Sequence, residues 1–302
     1  MKMNRREFIG GVLATSVLPA FGTTDVKPEY HAFSRVFQFL KDPYKAADFL
    51  KSCGYDGVEW TVRNGGFLDP NMVTAEKMKA LKSAADNAGI KAENIVVDFL
   101  RGDDPGAERL VILAADAGFK SFRGEYFRYD RTKTHRQNLD AFRSGFDSLE
   151  KLARKSGLKA CYQNHSTYDK AVPLFGSLVW DLASVAKDHD PKYIGIQYDP
   201  MHVRAEGGPS WDHTLGAIAP WIDIVCLKDF HFVLDESGKD WKRELVPAGK
   251  GIVDFAEVKR LMELEGVKPR YTVHYDYDFP EDEAGARWFA TSDLKYYRFV
   301  LG

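Results

Sequence analysis

Cysteine is scarce in this chain: three in 302 residues, Cys53, Cys161 and Cys226, with no CxxC pair among them. An odd number at such spacing excludes a disulfide framework, and because Cys161 and Cys226 lie inside apolar runs they read as buried thiols. A surplus of positive charge is missing too. Lys and Arg number 42 against 44 Asp and Glu, a formal charge of -2, so no broad basic surface exists for a phosphate backbone and a nucleic-acid partner is not expected. Also absent is any apolar run near the roughly 20 residues that cross a bilayer, so a membrane span is not expected. With no short repeat, low-complexity tract or linker-like stretch, there is no sign of a second folded domain.

What the chain does have is 44% hydrophobic content, enough at this length for one large core. The apolar residues fall into short runs that each end in a polar group: Gly57-Val-Glu-Trp60, Ile95-Val-Val-Asp98, Leu158 to His165, Tyr193-Ile-Gly-Ile-Gln-Tyr-Asp199, Ile222 to Asp229 and Tyr271-Thr-Val-His-Tyr-Asp276. Near-continuous apolar runs are how buried parallel strands read. Helical patterns separate them: Pro43 to Cys53 with Asp42 as N-cap, Thr74 to Ala88 stopped by Gly89, Ala107 to Ala117, Lys133 to Lys155 before Gly157, Leu178 to Lys187, and Asp254 to Glu265. A first strand is expected over His31–Phe37. The charged stretch His231 to Glu244, with Ser237-Gly238 at its centre, reads as an inserted hairpin or flap. Eight strand–helix units in series predict an α/β fold of the (β/α)8 TIM-barrel type in one domain, with chemistry at the C-terminal strand ends.

The N-terminus is organised differently. Asn4-Arg-Arg-Glu-Phe-Ile9 precedes a short apolar run, Gly10 to Gly22, that closes on small residues. This is the layout of an export signal, and the paired arginines resemble the twin-arginine type. Residues 1–24 are expected to be removed, residues 25–302 to form the barrel, and the mature protein to be periplasmic.

The strand ends supply oxygen and imidazole groups that, gathered at one barrel mouth, can hold a divalent cation, bind sugar hydroxyls, or both. Four segments in order, Gly54-Tyr-Asp-Gly-Val-Glu59, Tyr198-Asp-Pro-Met-His202, Val225-Cys-Leu-Lys-Asp229 and Pro247-Ala-Gly-Lys-Gly-Ile-Val-Asp254, give the chain its likeness. It resembles the xylose isomerase-like superfamily of sugar isomerases and epimerases. That resemblance implies one divalent metal held by a Glu ending strand five, an Asp ending strand six, a His in strand seven and a Glu ending strand eight, the two glutamates also moving a proton between neighbouring sugar carbons. The strand-six Asp falls on Asp199, and the substrate-binding His three residues later on His202. The other positions depart: the strand-five Glu falls on Gln163, the strand-seven His on Cys226, and the strand-eight Glu on Asp276 or, one alternation earlier, His274.

Lys228, His202, His165 and Asp276 are therefore the expected catalytic groups, since their pKa values can be tuned to move a proton without a strand-five carboxylate. Lys228 can instead pair structurally with Asp229 or Glu59. Expected substrate contacts are Glu59, Trp60, Asn164, His231, His274 and Lys250, with Trp211 as a further ring face. Asp199, Gln163 and Asp276 are the expected ligands for a divalent metal such as manganese, magnesium or zinc. The expected activity is sugar isomerisation or epimerisation, by proton transfer next to a carbonyl of an unphosphorylated sugar or keto-sugar. Two alternatives stand beside it: a sugar lyase on the same barrel, and a carbohydrate-binding protein whose metal site has degraded.

Overall fold

The computed structural model describes residues 27–167 and 172–302; the expected export signal lies outside them. Eight parallel strands close into a barrel: β1 (Tyr30–Phe33), β2 (Gly57–Val62), β3 (Asn94–Val97), β4 (Ser121–Arg123), β5 (Lys159–Gln163), β6 (Ile194–Tyr198), β7 (Ile222–Leu227) and, after a hairpin, β10 (Arg270–Val273). β10 pairs with both β1 and β7, which completes the ring. The hairpin is antiparallel, β8 (Asp229–Leu234) on β9 (Trp241–Val246). It stands where the charged stretch predicts it and starts two residues earlier.

The helices form where caps and breakers direct them. α1 (Pro43–Cys53) begins with Pro43 at its first position and Asp42 Oδ1 accepting from the Tyr44 amide at 2.8 Å; it ends on Gly54, whose φ of 97° suits a residue without a Cβ. α2 (Ala75–Ala88), α3 (Ala107–Ala117) and α4 (His135–Ser156) each stop on a left-handed glycine in the same way. Thr134 and Gln137 close a capping box at the start of α4. The inner face of α4 sinks Phe142, Phe146, Leu149 and Leu152 into the core, so a Phe146→Ala cavity there would cost about 3–5 kcal/mol. Gly145 is needed mid-helix, since a Cβ would fall 2.3 Å from the Phe127 ring. α5 (Val179–Ala186), α6 (Pro200–Gly207), α7 (Thr214–Ile218), α8 (Phe255–Leu264) and α9 (Glu283–Leu301) complete the layer.

Two stretches depart from expectation. The first strand ends at Phe33, and Ser34–Leu40 turns into a 3-10 helix. The apolar residues there do not alternate strictly, and Phe37 turns inward against Phe49, Tyr275 and Phe279 instead of continuing a pleat. Between β6 and β7, a run of short helices from Pro200 to Trp221 replaces the single crossover helix of a regular unit. Among the described residues, no helix is long and apolar enough to cross a membrane.

Candidate active site at the barrel mouth

A cavity of about 1670 Å3 opens at the C-terminal ends of the strands, lined among others by Arg35, Asp98, His202, Trp241, Arg243 and Asp276. Its floor is a polar cluster built from consecutive strand ends. Asp199 follows β6 and caps α6, its Oδ1 accepting from the amides of Met201 (3.1 Å) and His202 (3.3 Å). Its Oδ2 accepts from Gln163 Nε2 at 2.8 Å and lies 3.2 Å from the Lys228 ammonium. Lys228 Nζ also donates to Asp276 Oδ2 at 2.9 Å, and Asp276 Oδ1 faces Arg35 at 3.6 Å. Lys228 therefore joins two acids across the barrel rather than pairing with Asp229 or Glu59. Burial opposes charge on Asp276, but Lys228, His274 and Arg35 outweigh it and hold its carboxyl well below the usual range.

A donor chain fixes the orientation of Gln163. Arg123 Nη1 donates to Tyr126 Oη at 2.9 Å, and that hydroxyl donates to Gln163 Oε1 at 2.7 Å. The amide nitrogen must then face Asp199, and it also reaches Cys226 Sγ at 3.4 Å. Cys226 in turn meets His274 Nε2 at 3.5 Å. Burial, with Asp199 and Glu59 nearby, pushes the Cys226 thiol well up, so it stays protonated.

Two imidazoles stand together beside this cluster. His165 and His202 are 3.6 Å apart, centroid to centroid. His165 Nδ1 donates to the Ser166 carbonyl at 2.7 Å, while His202 Nδ1 shares a 2.6 Å hydrogen bond with Ser166 Oγ. Burial first, then the neighbouring positive charges, lower both pKa values well below the ordinary histidine value. Both rings are neutral near pH 7 and able to accept a proton. His202 Nε2 is buried without a hydrogen-bond partner, 3.5 Å from Asp199 Oδ2.

Several expected contacts lie elsewhere. Glu59 and His274 sit inside the barrel beneath the floor, 3.5 Å apart. Glu59 accepts from Asn94, Gln197 and Thr272; burial would raise its pKa, yet His274, Arg123 and Asn94 hold it at about 2. Trp60, the next residue along β2, takes the opposite face and is sealed against Phe67 with ring centroids 4.9 Å apart. Trp211 is likewise buried outside the cavity lining. Asn164 spends both ends of its amide on the backbone of Asp199, at 2.7 and 3.0 Å, and so positions that residue instead of meeting substrate. His231 is half-exposed on β8 near Glu244, outside the cavity lining.

Lys250 is exposed, and its loop serves a structural purpose: the amides of Gly249 and Gly251 donate to Asp229 Oδ2, and those of Phe230 and Val253 to Oδ1. Those donors are therefore not offered to a ligand. Residues not anticipated from sequence include Tyr126, Ser166 and Trp241. Tyr126 and Ser166 act through contacts between strands that no local pattern reveals. Trp241 could have been found, as a large aromatic inside an otherwise charged flap.

The expected metal ligands fit a divalent ion poorly. An ionised carboxylate offers about four acceptor positions, and those of Asp199 are met by two amides, the Gln163 amide and the Lys228 ammonium. Gln163 turns its donor end inward, and Cys226 is a neutral thiol. Among the described residues, no group of three His, Cys, Asp or Glu gathers as a ligand set.

Comparison with known proteins adds the family context. The sequence profile described as xylose isomerase-like TIM barrel matches residues 47–291, whereas no curated protein matches the chain by sequence. D-psicose 3-epimerase, solved in the presence of D-fructose, superposes with a TM-score of 0.67 at 14% identity, covering 91% of this chain and 99% of that one. A 3-keto-D-glucoside 4-epimerase from E. coli gives 0.64 at 16% identity, covering 90% and 100%. A xylose isomerase-like TIM barrel protein from Mycobacterium smegmatis in complex with magnesium gives 0.62 at 14% identity, covering 92% and 98%. At such identities the likeness is one of fold.

Proposed function

The chain belongs to the xylose isomerase-like TIM barrel family, and from that premise we propose that it is an exported enzyme moving a proton next to the carbonyl of an unphosphorylated sugar or keto-sugar. The observation that carries the reading is a neutral, buried imidazole, His202, lining a large cavity beside an ionised Asp276 and a lysine ammonium. In the tautomer whose Nδ1–H donates to Ser166, Nε2 carries the lone pair, and a substrate seated at the floor must turn that buried nitrogen away from Asp199 Oδ2, 3.5 Å off, before it can accept. It takes the proton from the carbon next to the carbonyl, the C–H pair becomes the enolate double bond, and the carbonyl oxygen takes the negative charge. Lys228 lies behind Asp276 and supplies positive charge at the floor where that oxyanion forms. Delivery of a solvent-derived proton to the opposite face of the same carbon gives an epimer; delivery to the former carbonyl carbon, with the neighbouring hydroxyl proton passing to the former carbonyl oxygen, gives an isomer. Loss of a leaving group from the next carbon makes the enzyme a lyase.

Cavity size supports a substrate larger than one ring, since small-ligand pockets commonly occupy about 300–1,000 Å3. Trp241 and Phe232 of the hairpin line the outer part and offer faces for a second ring. The neighbour named as acting on a 3-keto-glucoside agrees with a glycoside of that size. Periplasmic location follows from the leader reading of residues 1–24, and intact-mass analysis of protein from its native host tests it: a mature chain that still begins at Met1 overturns export. The activity test is solvent deuterium wash-in across a panel of sugars, keto-sugars and keto-glycosides, comparing wild type with His202→Phe. Exchange in the wild type, lost in the variant, supports the reading. Saturable binding without exchange on any member of the panel would make this a carbohydrate-binding protein instead.

A further inference from the structure

We infer that this barrel works without a bound divalent metal, the ammonium of Lys228 between Asp199 and Asp276 standing in for the ion's charge. The inference builds on the proton-transfer reading but rests on contacts that hold whatever the substrate. Lys228 Nζ lies 3.2 Å from one carboxylate and 2.9 Å from the other, almost fully buried. A second cation brought to those two oxygens would meet the ammonium at close range, where repulsion in a low-dielectric site is strong.

Gln163 is the complementary half of the arrangement. Its Nε2 lies 2.8 Å from Asp199 Oδ2. A carboxylate at that distance would repel Asp199 unless a cation lay between them, whereas an amide needs none. Relative to the ligand pattern of the resemblance, one negative charge disappears at Gln163 and one positive charge disappears when an ammonium serves in place of a dication. The two changes leave the cluster's charge balanced. Tyr126 and Arg123 hold the amide in its donating orientation, so these contacts form a built arrangement rather than a collapsed ligand set. Lys228 is thus a positioning and electrostatic residue, acting through Asp199 and Asp276.

The test is calorimetric titration of manganese, and separately zinc, into chelator-treated full-length protein. Wild type and Lys228→Arg are expected to take up neither ion in the micromolar range. In Lys228→Met/Gln163→Glu the ammonium is gone and a third carboxylate added, and manganese affinity should rise at least about tenfold over wild type. If circular dichroism shows that this variant does not fold, Lys228→Met alone, which removes the ammonium on which the inference turns, carries the comparison with the same expected direction. Stoichiometric binding of either ion to wild type at micromolar concentration overturns the inference. So does a folded variant with no gain. Chelator should leave wild-type deuterium wash-in unchanged, and its abolition by chelator would also overturn it. A protein that shows no wash-in at all would sink the proposed activity and leave the titration result standing.

Discussion

Each end of this barrel holds a basic side chain between two acids, yet only one end opens on a large cavity. At the lower end, Arg270 reaches Glu93 at 3.0 Å and Asp223 at 2.8 Å, with Lys120 and Lys159 on the far sides of the same acids. At the mouth, Lys228 lies between Asp199 and Asp276. The lower cluster borders a void of about 10 Å3, barely the space of one water, and its planar guanidinium fork is committed to Glu93, Asp223 and Ser121. The upper cluster faces a cavity more than a hundredfold larger, and its neighbours are neutral imidazoles with proton-accepting capacity. Similar charges make a staple at one end and the floor of an open cavity at the other; what separates them is open volume and the neutral imidazoles beside it.

The largest expected effect breaks the mouth. Lys228→Met should lower turnover about 10²- to 10³-fold, the usual cost of removing a preorganised electrostatic contact, with Lys228→Arg recovering part of it; steady-state kinetics on the wash-in substrate measures both. At the other end, Arg270→Met leaves two partly buried carboxylates facing each other and should cost about 3 kcal/mol of stability by urea unfolding. Turnover of the folded variant should stay within about twofold, because the two clusters share no partner. A large activity loss in Arg270→Met would erase the distinction between the ends.

Acid sharpens it further. Burial works against the charge on Glu93 and Asp223, but their basic partners prevail and hold both carboxyls below their ordinary values. A depressed carboxyl contributes stability that is fully present above its unfolded pKa and is lost as pH falls toward the folded one. Wild type should therefore lose stability below about pH 4.5 more steeply than Arg270→Met. Melting temperature against pH decides it, and parallel curves for the two proteins would count against the staple. The smallest effect belongs to the cavity rim. Trp241→Ala should raise KM by about three- to tenfold with little change in kcat, as expected of one stacking face; an unchanged KM on a keto-glycoside would remove the hairpin from substrate binding.

The barrel was legible because its signals are local. Asp42 before Pro43 starts a helix, glycines at 54, 89 and 157 stop helices, and the apolar run of β7 fell at Ile222–Leu227 as read. The polar strand ends could be found, but not their pairings. Lys228 reaches Asp276 48 residues away, and nothing along the chain distinguishes that partner from the adjacent Asp229. Asp229 is claimed by four amides, two of them from glycines of the loop that carries Lys250. Glu59 and Trp60 were both expected at the substrate, yet as neighbours along β2 they take opposite faces, and which face is interior required the closed ring.

The way the hairpin is anchored has a consequence for how such an enzyme diversifies. β8 starts at Asp229, directly after Lys228, and β9 ends at Val246, which pairs with Asp229. The returning loop then fastens to the same carboxylate, so closely that a Cβ on Gly251 would fall 2.2 Å from Asp229 Oδ1. Departure and return are thus tied at one point, Arg243 adds a second tie to the Thr167 carbonyl, and the chain between these ties, Trp241 included, is a cassette. Its length and aromatic content can drift, or be exchanged by design, while the lysine beside the knot keeps its place. On the proposed activity, one floor would serve a succession of substrates by changing only the fold of chain that hangs over it.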